Sequence, residues 1–166
     1  MKKSFKFLIG GIIASVVILV VIVALLVGKL VTHKKTPAAF EQFSVYAEEQ
    51  GYIFEEETDM MPEGFGKYGV AYQENEDQDF VITFSECPDV EGAVKLYNKS
   101  ESLITEEYKG AVSSHVNVNL GNYSKYEQTS DGIFAAVARV ENTVLFVHSK
   151  AEDKEELQDF IKGLGY

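Results

Sequence analysis

Three glycines in the stretch EGFGKYGVA, namely Gly64, Gly66 and Gly69, have the G-x-G-x-x-G spacing that in other chains lets a backbone close around a phosphate. A dinucleotide site needs a strand before the glycines and a helix after them, so that the phosphate meets the helix N-terminus. Here the residues after Gly69 alternate as in a strand, the other motifs of a protein kinase are missing, and Lys67 is not followed by the Ser or Thr of a P-loop. We therefore interpret the stretch as a loop that enters a β-hairpin.

The same loop carries three large apolar side chains, Met60, Met61 and Phe65, in a segment punctuated by Gly and Pro. If they are exposed, they form a contact surface or a lid over a pocket. The alternative, which we favour, is that they pack back onto the core.

The single cysteine, Cys87, precedes Pro88 at a predicted helix start, where the free backbone amides lower the pKa of a thiol and make it nucleophilic. A catalytic cysteine also needs a base, and the sequence does not place His115 or His148 beside it. We favour a half-buried structural thiol. A hydrolase or redox accessory that uses Cys87 remains the alternative.

The other polar residues show no spacing typical of a metal or catalytic site. His33, His115 and His148 lack a metal-ligand pattern such as H-x-x-x-H. The loop 74–79 has the oxygen ligands that calcium prefers, but not the glycine and distal glutamate of an EF-hand, so we interpret it as a solvated hairpin tip. Arg139, the only arginine, is expected to pair with a carboxylate at the edge of the core. No catalytic, cofactor-binding or metal-binding residue is assigned.

Charge divides the chain into two parts. Residues 1–35 hold six lysines and no Asp or Glu, whereas residues 36–166 hold nine Lys and Arg against 26 Asp and Glu, a net charge of −17. Nucleic acid and anionic lipid both bind through Lys and Arg on phosphates, so the acidic part is expected to bind neither.

An uncharged run of 22 residues between Lys6 and Lys29 is about 33 Å long as a helix, enough to cross a hydrocarbon core of ~30 Å. The apolar region of a signal peptide is usually only ~7–15 residues long. We predict a basic tail at 1–6, a transmembrane helix at 7–30 and a basic linker at 31–36. Lysines flank both ends of the span, and we expect the N-terminus inside and the domain outside because a short basic tail usually begins an exported chain.

The remainder, 37–166, is predicted to be one α+β domain with a mostly antiparallel sheet packed by about three helices. Thr36-Pro37 predicts the capped start of a helix over 37–50. Asp131-Gly132 predicts a two-residue hairpin turn. The strands at 133–140 and 143–149 are nearly all apolar, so we place them centrally. The predicted inner faces of the second and third helices are Val90, Ala93, Val94, Tyr97 and Ile104, and Leu157, Phe160, Ile161 and Leu164.

Residues 80–166 resemble small membrane-anchored proteins common in Gram-positive anaerobic bacteria. The resemblance rests on N-L-G-N-Y-x-K-Y, the D-G turn, the A-R-V-E-N-T hairpin and the closing L-G-Y. It implies a location at the membrane, an outward-facing domain and a similar fold, and it supplies no catalytic residue.

Our leading hypothesis is a non-enzymatic extracytoplasmic module. It is anchored in the lipid bilayer by residues 7–30, and it binds an envelope protein or a small ligand without a cofactor. The Tyr- and Asn-rich strands 115–126 are the expected binding face, since Tyr gives contact area at small entropic cost. A cytoplasmic-facing membrane-bound regulator is a further alternative, and it requires the opposite topology.

Overall fold

The structure, a computed structural model, describes residues 34–74, 80–108, 110 and 112–166. That part of the chain contains three α-helices: α1 (Phe40–Glu49), α2 (Val90–Glu107) and α3 (Lys154–Gly163). It contains seven strands: β1 (Ile53–Glu56), β2 (Lys67–Tyr72), β3 (Val81–Glu86), β4 (Val112–Leu120), β5 (Tyr123–Ser130), β6 (Ile133–Val140) and β7 (Thr143–Lys150). Short 3-10 helices occupy Thr58–Met60 and Ala151–Asp153.

All seven strands form one antiparallel sheet in the order β1-β2-β3-β7-β6-β5-β4. Strands β4 to β7 follow one another through two-residue turns, and β7 then closes against β3. At the turn between β5 and β6, Asp131 and Gly132 both have positive φ, as a type I′ turn requires. The predicted α+β class, the antiparallel sheet and the three helices are confirmed.

The central strands are apolar because helices cover both of their faces. All residues of β6 after Ile133 are buried, and so are five of the eight residues of β7. A strand with one face in water would instead alternate between apolar and polar side chains. The predicted central position of these two strands is confirmed.

Helices α1 and α3 pack together on one face of the sheet, the first face. Phe43 is completely buried there, stacked on Phe84 with 4.8 Å between ring centroids, and its ring meets Phe160 of α3 edge-on at 6.3 Å. The predicted stripe of α3 is confirmed, because Leu157, Phe160, Ile161 and Leu164 all belong to this core cluster.

Helix α2 covers the opposite, second face above β5, β6 and β7. Asp89 caps it by accepting a hydrogen bond from Gly92 N at 2.7 Å, so the predicted start after Pro88 is confirmed. Three of the five residues predicted to face the core, Ala93, Tyr97 and Ile104, are buried, whereas Val94 is only half-buried. Val90, predicted to face inward, is 43% exposed, because it lies at the first turn beyond the edge of the core.

Helix α1 begins later than predicted. Ala39 and not Thr36 precedes the first helical residue, and no side chain of the preceding segment caps the helix. Instead the carboxylate of Glu86, at the end of β3, accepts a hydrogen bond from Phe40 N at 2.9 Å. Sequence reasoning could not find this cap, because its donor and acceptor are 46 residues apart.

Several predicted features lie outside the described residues: the tail at 1–6, the transmembrane helix at 7–30, the first part of the linker at 31–36 with His33, and most of the loop 74–79. Of the helices in residues 34–166 that the structure describes, none has the length and apolarity needed to span a bilayer.

Candidate ligand-binding cleft

The second face carries an open cavity of about 450 Å³ where α2 stops short of β2 and β3. We call this cavity the apolar cleft. Its floor comes from β2, β3 and β7, one wall from α2, and the other wall from the loop that precedes β2. Its lining residues are Met61, Pro62, Phe65, Tyr68, Thr83, Ser85, Leu96, Lys99, Ser100, Leu103, Val144 and Phe146.

The helical wall is a second apolar stripe on α2. Leu96 and Leu103 are seven residues apart and flank Lys99 and Ser100, so these side chains lie on one side of the helix. Leu103 is 44% exposed although it is large and apolar. The sequence analysis predicted only the core-facing stripe of α2. The spacing of Leu96 and Leu103, seven residues apart, could have indicated this second stripe.

The loop wall contains two of the three apolar residues singled out above. Met60 is 76% exposed, so the prediction that all three pack back onto the core is wrong for it. Met61 and Phe65 are half-buried and line the apolar cleft, and the ring of Phe65 meets Tyr68 edge-on at 6.4 Å. These two residues therefore form a wall over the second face of the sheet.

The glycines of EGFGKYGVA serve this wall and the strand that follows it. Gly66 has φ +103°, and a Cβ built there would lie 2.1 Å from the carbonyl oxygen of Glu86. Gly69 is inside β2, where a Cβ would meet the ring of Phe54 at 2.5 Å. The predicted strand after the glycines is confirmed. Gly66 thus lets the loop pack closely against the end of β3, and Gly69 leaves room for the rings of Phe54 and Phe40. A strand and not a helix N-terminus follows the loop, so the phosphate-binding arrangement is not formed.

Polar groups in the apolar cleft are few and are mostly hydroxyls. Burial raises the pKa of Tyr68, while a hydrogen bond with Thr83 acts in the opposite direction. Ser85 is 4% exposed at the floor. Of the described residues that line the cleft, only Lys99 is charged, and it is exposed. The lining of the apolar cleft is therefore mostly apolar, with several hydroxyl groups and the ammonium group of Lys99 as its polar contacts.

On the other flank of α2 lies a polar cavity of about 330 Å³, lined by Val94, Tyr97, Asn98, Glu101, Asn117, Asn119, Ser124 and Arg139. Arg139 is 4% exposed and donates to the carbonyl oxygens of Glu141 and Gly121, at 3.1 and 3.3 Å, and to Ser124 Oγ at 3.2 Å. The prediction that Arg139 pairs with a carboxylate is wrong, because its acceptors among the described residues are carbonyl and hydroxyl oxygens. Arg139 instead ties the β4–β5 turn to the β6–β7 turn, and nothing in the sequence pattern brings those turns together.

Cys87 is more buried than predicted, with 4% of its surface exposed. Burial, and secondly the charge of Asp89, raise the pKa of its thiol, opposite to the lowering expected at a helix start. The desolvation cost of a thiolate outweighs the helix dipole here.

The two histidines within the described residues lie far from Cys87. Thr143 pairs with Glu86 and His148 with Val81, so His148 is about 17 Å along the strands from the end of β3. His115 is on β4, four strands away from β3, which corresponds to about 19 Å. Neither imidazole can take a proton from Cys87 in this arrangement.

The expected Tyr- and Asn-rich binding face does not exist as one surface. Strand alternation puts Asn117 and Asn119 on the second face and Tyr123 on the first. Tyr126 shares the second face with the asparagines, but it is 7% exposed and donates to Gln128 Oε1 at 2.6 Å. The tyrosines here are packing residues, because neighbouring strands and helices cover them.

No protein-family model matches the chain, and no significant match was found among curated proteins. Among solved structures, one from Thermotoga maritima described as a GTP binding regulator is similar, with a TM-score of 0.45 and 20% identity. The match covers 76% of this chain and 84% of that chain. Similarity at this level does not establish a shared fold or activity.

Proposed function

We propose that the chain is a non-enzymatic, membrane-anchored binding module whose acidic domain lies outside the cell. Its ligand is a small molecule with an apolar body and one anionic group. The observation that carries the proposal is the apolar cleft, in which Lys99 is the one charged side chain among the described lining residues.

The size and chemistry of the apolar cleft fit such a ligand. Small-molecule sites usually enclose about 300–1,000 Å³, are mostly apolar, and hold a few polar groups that fix orientation. Leu96, Leu103 and Phe146 would contact the apolar body, and Lys99 would pair with the anionic group. The acidic charge of the domain opposes binding of an anion at long range. At physiological salt this repulsion is screened beyond about 8 Å, whereas Lys99 acts at contact distance.

The membrane location rests on the uncharged run between Lys6 and Lys29, and the outward orientation on the short basic tail before it. Burial of Cys87, and its distance from both described histidines, favour a binding role over the alternative of a thiol enzyme.

Binding can be tested with two dyes of nearly equal shape, anionic 1-anilinonaphthalene-8-sulfonate and uncharged N-phenyl-1-naphthylamine. The test uses residues 35–166, which contain every member of both core clusters. Leu103→Trp should fill the mouth of the apolar cleft and weaken binding of both dyes at least about tenfold. Val90→Trp is the matched control, because Val90 is equally exposed on the same helix but outside the lining.

Lys99→Gln should weaken the anionic dye about three- to tenfold, the effect of a partly exposed ion pair, and leave the uncharged dye unchanged. Equal binding by Leu103→Trp and Val90→Trp would refute the apolar cleft as the site. Equal loss of both dyes in Lys99→Gln would refute the role of charge.

Orientation is tested in intact cells with the full chain carrying Cys87→Ser and Met60→Cys, since Met60 is 76% exposed. Labelling by a membrane-impermeant maleimide before lysis places the domain outside. Labelling only after lysis would overturn the localisation and favour the cytoplasmic-facing regulator.

A further inference from the structure

The two edges of the sheet are protected to very different degrees. Strand β1 is only four residues long, and Glu55 and Glu56 lie on it, with Glu57 immediately after. Strand β4 is nine residues long and has the sequence VSSHVNVNL. Natural edge strands normally avoid pairing with other chains by being short, by carrying charges or proline, or by bulging. Strand β1 has two of these protections. In β4 the single irregularity lies between Val112 and Ser114, at its start.

The sequence of strand β4 is uncharged, and the charged side chains beside it, Glu101, Lys154 and the Lys125–Glu127 pair, belong to other elements. No Asp, Glu, Lys or Arg occurs from Gly110 to Ser124, a run of 15 residues. On the first face this strand presents Val116 and Leu120, which are 45% and 43% exposed. An unpaired row of backbone groups, exposed apolar side chains and an absence of charge are the features of a strand that accepts a partner.

We propose that β4 pairs antiparallel with β4 of a second copy of this chain, about a two-fold axis at Asn117. The lack of charged residues along β4 favours a second copy as the partner. A basic protein would instead bind the acidic surfaces of the domain, which lie elsewhere. Two domains of net charge −17 repel each other least where charged residues are fewest, and the longest charge-free run within residues 36–166 is the one that contains this strand.

The register follows from the strand itself. The regular part of β4 is 114–120, and its middle residue is Asn117. Antiparallel pairing about Asn117 puts Val116 of each copy opposite Val118 of the other on the first face. It places the two Asn117 side chains next to each other on the second face, where each donates to Glu101 of its own copy at 3.2 Å. If one copy slipped by one residue, Val116 would lie opposite Asn117, and the apolar and polar side chains would no longer be matched across the pair.

Such a pairing buries little area, so it should be weak and reversible, and covalent trapping is the suitable measurement. In an antiparallel pair the Cα atoms of directly opposed residues are about 4.5–5.5 Å apart, within the span of a disulfide. The full chain with Cys87→Ser and Asn117→Cys, oxidised in native membranes, should give a covalent dimer on a non-reducing gel. Ile53→Cys on β1 is the matched control, because Ile53 is exposed at the other edge.

Charge substitutions test the pairing independently of the cysteine. In the Asn117→Cys chain, Val116→Glu with Val118→Glu should reduce cross-linking at least about fivefold, since four carboxylates then face one another. Val116→Glu with Val118→Lys removes the same apolar side chains but sets opposite charges across the axis, and should retain cross-linking. Absence of a dimer, equal cross-linking by Ile53→Cys, or equal loss in both double variants would each overturn the proposal. None of these outcomes depends on whether the apolar cleft binds a ligand.

Discussion

Replacing Gly66 with alanine should damage the apolar cleft without changing any side chain that lines it. The Cβ would lie 2.1 Å from the carbonyl oxygen of Glu86, whereas contacts of this kind are not found below 3.0 Å. Either the loop or β3 must therefore move by about 0.9 Å. Strand β3 is held by β2 and β7 on its two sides, so we expect the loop to move.

Gly64 provides a control in the same loop. Its φ is +82°, but a Cβ built there has nothing within 4 Å. Gly64→Ala should cost only the strain of positive φ, about 1–2 kcal/mol. Gly66→Ala carries a similar strain and, in addition, an overpacking cost of about 1–3 kcal/mol. The difference in the free energy of unfolding between the two variants is thus expected to be about 1–3 kcal/mol.

Urea unfolding of residues 35–166 measures the stability of each variant, and the two naphthalene dyes measure the cleft. Gly66→Ala should lose stability and dye affinity together, because Met61 and Phe65 move with the loop. Gly64→Ala should retain dye affinity. If both variants have the same stability and affinity, the close approach of Gly66 to Glu86 does not hold the wall, and this account of the apolar cleft is wrong.

Two further predictions concern buried ionisable groups. Burial raises the pKa of Tyr123 to about 12 and, by larger amounts, those of Tyr52, Tyr97 and Tyr166, so the folded state keeps protons that the unfolded state loses above pH 10. The contribution of these tyrosines to stability is therefore constant well below pH 10 and should fall above it by about 1.4 kcal/mol per pH unit for each such group. Tyr166→Phe should reduce the slope by that amount in urea titrations at pH 10–11.5, and an unchanged slope would contradict the assignment. The thiol of Cys87 should react with iodoacetamide at pH 7.5 much more slowly than in urea-unfolded chain, and equal rates would revive the thiol-enzyme alternative.

Much of the fold could be predicted because its signals are local. The spacing of Leu157, Phe160 and Ile161 gives the buried side of α3, and Asp131-Gly132 gives a turn whose backbone angles only a few residue types adopt readily. Asp89 likewise caps a helix by accepting a hydrogen bond from Gly92 N, only three residues away. Each of these depends on residues that are close in sequence.

The features that could not be predicted depend on residues far apart in sequence. Glu86 replaces Thr36 as the cap of α1, and the partners of Arg139 are two turns brought together only by the order of strands. The apolar cleft is of the same kind, since its walls meet only because α2 lies over β5, β6 and β7 and leaves β2 and β3 open. For Cys87, its position at a helix start predicts a lowered thiol pKa, but burial by residues distant in sequence raises the pKa instead.

The ring of Phe43 in α1 packs against rings from β3 and α3, which are made much later than α1 during synthesis. Phe160 is more than a hundred residues later in the chain than α1, and the core of the first face also includes Leu157 and Ile161 of α3. At about 5–20 residues per second, α1 waits on the order of ten seconds for its partners to be made. During that time Phe40 and Phe43 lack the α3 residues that bury them in the folded domain, so their side chains remain partly exposed on the nascent chain. The core of the first face can therefore close only after α3 has been made.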